Sequence, residues 1–145
     1  MKLTRYLIVV TLFTVAATLS NAQAQSTKKM LVGTWFMSFD DMLKKMPEKQ
    51  RRMLESMPDE QKDMMRKQVN QSYFDFKADG TFETFTDSKK GSMTWKLSDD
   101  GKKLITTDTD GREIPMKIIE LSKKRLLLEA KDARETLFIV LKPKK

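Results

Sequence analysis

The sequence predicts a mostly β fold: an eight-stranded antiparallel up-and-down barrel with a short helical insert between its first and second strands. Three observations carry this. From Ser72 onward, alternating apolar and polar runs are cut by turn signals such as Asp79-Gly80, Asp99-Asp100-Gly101 and Asp108-Thr109-Asp110-Gly111. The links between those runs are short, which makes neighbouring strands antiparallel, and so long a meander either closes or leaves two sticky edges. Before it, residues 38–71 are rich in Met, Lys, Glu and Gln, hold no glycine, and have Val69 as their one β-branched residue, which is helical composition.

The elements follow in order. Residues 1–24 read as a secretory signal peptide: Lys2 and Arg5 open it, Tyr6 to Leu19 is uncharged and mostly apolar, and Ala22-Gln23-Ala24 is a small-residue cleavage pattern. The apolar run is too short to span a bilayer, and no later segment is long enough. The domain proper is expected to be 25–145. Its first strand is 31–37. The insert divides into helices near 40–46, 47–56 and 58–71, because Pro47 and Pro58 suit first turns and each precedes an acid, favoured at a helix N-terminus. Asp40 or Ser38 is the expected cap of the first. Strands then fall at 72–77, 81–86, 92–97, 103–107, 113–121, 125–130 and 134–141. Gly80, Gly91, Gly101 and Gly111 are placed in the turns. The last strand is apolar on both faces, Leu137, Ile139 and Leu141 against Phe138 and Val140, so helix or partner should cover its outside.

Residues 46–56 repeat in 57–67, and at helical spacing Met42, Met46, Met53, Met57 and Met64 fall on one side. This stripe is read first as a packing face against the barrel, since Met fills irregular gaps. It is also compatible with a flexible lid. Thioether coordination of Cu(I) has no His or Cys to support it.

Composition narrows the function. The chain has 145 residues, enough for one domain, with 39% hydrophobic and 33% charged residues, which suits a folded soluble protein. It has no cysteine and no histidine, which removes disulfides, thiolate chemistry, His-based metal sites and the commonest general base. Ser88-Lys89 and Ser122-Lys123 are turn neighbours, and Asp108-Thr109-Asp110-Gly111 lacks the later ligands of a calcium loop. No enzyme, cofactor or metal is expected. The formal charge is +8, but acids are interspersed with the bases, which argues against nucleic acid as a partner. Lys142-Pro143-Lys144-Lys145 reads as a solvated tail.

Leu31-Val32-Gly33-Thr34-Trp35 resembles the G-x-W signature that opens lipocalins. Phe74 to Phe82 with its Asp79-Gly80-Thr81 turn, then Gly91 to Leu97 around Trp95, then Asp99 to Leu104, resemble in order the motifs of secreted bacterial lipocalin-like domain proteins. The resemblance spans about residues 30–141. It implies a barrel with an apolar cavity for a small hydrophobic ligand. It also implies that Gly33 and Trp35 are structural, with Trp35 closing the base against a late basic side chain, for which Arg134 is the candidate. The expected ligand contacts are the inward residues Phe74, Phe76, Met93, Trp95, Met116, Ile118, Leu126 and Leu128, with Phe138 and either Phe82 or Phe85. Met42, Met46, Met53, Met57 and Met64 are the expected lid. An eight-stranded barrel is also narrow enough to be filled by its own side chains. The readings are therefore a secreted or periplasmic carrier of a small hydrophobic molecule, or a protein–protein interaction or inhibitor module with a filled barrel.

Overall fold

Strand β1 (Gly33–Met37) pairs antiparallel with β2 (Tyr73–Phe76) on one side and with β8 (Thr136–Pro143) on the other. Between these lie β3 (Thr81–Thr86), β4 (Lys89–Leu97), β5 (Lys103–Thr107), β6 (Glu113–Leu121) and β7 (Leu126–Lys131). Each pairs with its chain neighbour, so the eight strands form a closed barrel in sequence order. The computed structural model describes residues 22–131 and 136–143. Of the expected leader only 22–24 are among them.

A helix that the sequence reading did not foresee, α1, runs through residues 22–31 and leads into β1. Leu31 ends this helix and is not a strand residue. The switch from helix to strand is made at Gly33, whose φ of +133° is a backbone conformation that L side chains rarely adopt. The insert follows β1 as α2 (Phe39–Lys45), α3 (Glu48–Glu55) and α4 (Asp59–Gln71), close to the expected bounds. Met46, Pro47 and Pro58 are extended, with ψ near 140° in each, so the chain leaves helical geometry between the segments. Ser38 occupies the N-cap of α2, but its hydroxyl donates to Asp41 Oδ2 at 2.8 Å and caps no backbone N–H.

The turn between β3 and β4 differs from the expectation. Asp87 and Ser88, at φ of 50° and 63°, form a two-residue hairpin turn, and Thr86 pairs with Lys89. Gly91 is therefore inside β4, opposite Thr84. A Cβ there would sit 2.7 Å from Thr84 Oγ1, so close approach, and no turn, explains the glycine.

The doubly apolar last strand is covered as expected. Leu127 and Val140, paired on the outer face of β7 and β8, are buried, and Phe39 of α2 is buried where that helix lies against β8. The Ser38 N–H donates to the Val140 carbonyl at 3.1 Å. Arg66 of α4 stacks over the Phe39 ring at 5.3 Å. Phe138, expected inside, pairs with Glu129 on the outer face, because it alternates with the inward Ile139 and Leu137. Lys142, read as part of a solvated tail, lies in β8 and forms an ion pair with Asp41 of α2.

That ion pair pulls the Asp41 carboxyl well below the usual carboxylate range, with the Ser38 and Lys44 hydrogen bonds acting in the same direction. The folded chain thus holds the ionised form more readily than the unfolded chain. The stabilisation is complete above the ordinary value of 3.8 and is lost as pH falls toward the depressed value. Asp41→Asn should cost about 1–2 kcal/mol at neutral pH. Urea unfolding of both proteins across pH should show that difference shrinking below about pH 4.

Candidate functional site

The inner wall is the concave surface that barrel closure builds, and its residues follow from strand alternation and register. On most strands, burial of the inward side chains falls from the level of the packed cluster toward the end opposite α1. On β8, Leu141 is 0% exposed, Ile139 is half-buried and Leu137 is 50% exposed. On β6, Met116 is buried and Ile114, also facing inward opposite Thr106, is 43% exposed. Trp95 is buried on β4 while Met93 and Gly91 are half-buried. Trp35 to Met37, Phe82 to Thr86 and Leu128 to Ala130 run the same way.

The closed base is a packed aromatic layer. Phe76 stacks on Phe82 at 4.7 Å between ring centroids and meets Trp95 edge-on at 5.5 Å, while Phe74 meets Phe82 edge-on at 5.3 Å. Leu31 of α1 is fully buried in the same cluster. Trp35 Nε1 donates to the Leu31 carbonyl at 2.8 Å, which ties strand to plug. Trp95 Nε1 donates to the Lys77 carbonyl at 3.0 Å. Thr27 is buried on α1, and Lys28 lies over the Trp95 ring at 5.7 Å.

All eight expected ligand contacts face inward and belong to, or pack against, one cluster. They do not lie at one depth. Phe76, Trp95 and Leu126 are in the sealed base, Phe74, Met116 and Leu128 are buried above it, and Met93 is half-buried. Ile118, on the base side of Met116 along β6, is half-buried beside a register shift between Ile118 and Glu120. Phe82 faces in, whereas Phe85 faces out and stacks on Tyr73 at 5.6 Å. Gly33 and Trp35 take structural places. Arg134 lies outside the described residues.

The expected lid is divided. Met42 and Met46 line a shallow groove with Lys45, Pro47, Leu137 and Phe138, which brings two methionines to the barrel rim at Leu137. Met57 is half-buried, while Met53 and Met64 are 72% and 59% exposed. The breaks before α3 and α4 restart the helical phase, so a stripe drawn through one continuous helix does not survive. Asp108 accepts from the backbone N–H groups of Asp110 and Arg112 at 3.0 and 2.9 Å, which holds its carboxyl below the usual range and completes a hairpin turn. Among the described residues no cluster of three or more acids could hold a metal ion.

A model of the lipocalin-like domain family matches residues 31–128, most of the described barrel. The chain belongs to the lipocalin-like domain family. No curated protein and no solved structure matches it. The features of this lipocalin-like chain that its sequence concealed are the α1 plug and the exposure of the inward pair Ile114 and Leu137. Ala24, Thr27 and Leu31 stand at helical spacing, a signal for α1 masked by its overlap with the leader.

Base and rim should respond differently to truncation. Leu31→Ala should destabilise the protein by about 2–5 kcal/mol, as removal of a fully buried leucine does. Ile114→Ala should cost less than about 0.5 kcal/mol, because its side chain has little to lose. Urea denaturation of the two variants compares them directly.

Proposed function

We propose that this is an exported, non-enzymatic carrier of a small hydrophobic molecule held in the open half of the barrel. The observation that carries the reading is the pair Ile114 and Leu137, large apolar side chains aimed inward yet about half exposed. Apolar groups facing inward at a wet rim are what a ligand covers when it enters a cup. Family membership favours a small-ligand binder. In this reading Phe76, Trp95 and Leu126 form the floor. Phe74, Met93, Met116, Ile118 and Leu128 form the wall. Met42 and Met46, beside Leu137, are the part of the Met-rich insert that gates entry. Export rests on the leader pattern ending at Ala24.

A second reading, a protein-interaction module, has one feature of its own: Met53 and Met64 present bare thioether side chains on the outside of the insert.

Native mass spectrometry of the protein from its exported fraction tests the main reading. The expected result is a chain beginning at Gln25 carrying a species of a few hundred daltons that is released on denaturation. A chain free of small molecules but complexed with another protein supports the second reading. In titrations with the uncharged dye N-phenylnaphthylamine, Ile114→Asp and Leu137→Asp should each weaken binding about tenfold, the order expected for a charge placed on an apolar contact. Met53→Asp should leave it unchanged.

A further inference from the structure

Every inward-facing strand position among the described residues is apolar, glycine or threonine, with one exception. Lys89, the first residue of β4, alternates with Gly91, Met93 and Trp95, which puts it on the inner face at the open end. The register makes this firm. Lys89 pairs with Thr86, Gly91 with Thr84 and Met93 with Phe82, and Thr84 and Phe82 are buried inward residues.

Among the described residues Lys89 has no charged partner, whereas Lys77, Lys96, Arg112 and Lys142 are paired with Glu83, Glu113, Asp108 and Asp41. Asp87, two residues before it, accepts from Gln68 Nε2 of α4 at 2.7 Å. Between Lys89 and Met93 the wall carries only Gly91, so no side chain of β4 separates the cation from the apolar interior.

We propose that the cup takes an amphiphile with an anionic head, a carboxylate, sulfonate or sulfate: Lys89 receives the head at the rim, and the apolar body lies against Met93, Ile114, Met116 and Leu137. The proposal rests on the carrier reading above. An ammonium at a rim pairs with an anion while its alkyl stem stays on apolar surface, and an apolar wall below supplies the burial.

The test uses two dyes that differ in a charged group, anilinonaphthalene sulfonate and uncharged N-phenylnaphthylamine, titrated by fluorescence into the whole protein. Lys89→Met should weaken the sulfonate about fivefold and leave the neutral dye within about twofold, as for a partly exposed charge pair. Lys90→Met makes the same charge change on the outer face of the same strand and should leave both dyes unchanged. Added salt should shrink the sulfonate's response to Lys89→Met. Circular dichroism and melting of the variants confirm that they fold alike. If both lysine variants weaken the sulfonate equally, or Lys89→Met does not weaken it, the anion site is overturned while neutral-dye binding keeps the carrier reading. If the wild-type protein binds neither dye, the carrier reading falls and the anion site with it.

Discussion

Closure of β8 onto β1 is the constraint on which the other features depend. β1 is short, and the whole helical insert separates it from β2. It must hydrogen-bond on both edges to be stable in the sheet, and Met37 does so opposite Leu141 while Trp35 and Phe36 serve both neighbours. With those pairings made the sheet closes on itself, which removes most of the edge that could template association. The inner face becomes a continuous wall whose content is set by strand alternation alone. Closure also places the outer faces of β7 and β8 where α2 can cover them, so Phe39, Leu127 and Val140 are buried outside the barrel as a second, smaller apolar layer.

The two ends of the barrel are unequal because the chain treats them differently. At one end α1 delivers Leu31 into the cluster, and Trp35 fixes that helix through its indole hydrogen bond. Buried aromatic rings there pack against one another and against Leu31, Leu104 and Leu126. At the other end stand the α2–α4 insert and the turns after β3 and β5, none of which sends a side chain to bury Ile114 or Leu137. Packing is therefore uneven along the barrel axis, tight at the base and looser at the end where Ile114 and Leu137 are exposed.

Much of this was legible from sequence, for identifiable reasons. The strands at 81–86, 103–107 and 113–121 appear as read, because Asp-Gly turns mark their ends unambiguously. The helices of the insert lie close to their expected bounds because Pro47 and Pro58 punctuate them. The failures are equally physical. Gly91 resembled a turn residue, yet its use is to let Thr84 approach. The turn fell instead on Asp87 and Ser88, residue types that tolerate positive φ locally. The methionine stripe assumed one helical phase across two breaks. Phe138 is read as inward on a strand apolar on both faces, and the structure makes the other face, that of Ile139 and Leu141, the inner one. α1 was hidden because its first residues overlap a leader pattern and its last resembles the start of a strand.

The candidate site illustrates a limit of reading by residue type. Sequence reasoning selected large apolar residues, and apart from Phe138 those from Phe74 to Leu128 do face inward, with Phe82 and not Phe85 inside. Size, however, selects for burial, and the most buried aromatics, Phe76 and Trp95, belong to the floor, where they are already satisfied by one another. In the proposed carrier, the residues that meet the ligand are those whose inward direction and exposure disagree. Ile114 and Leu137 disagree by being apolar and wet, and Lys89 by being charged on an apolar wall. Direction comes from register and exposure from closure, neither of which a single strand's sequence contains. The inner wall therefore has to be assembled before its unfilled positions can be distinguished from its filled ones, and in this barrel they gather at one end.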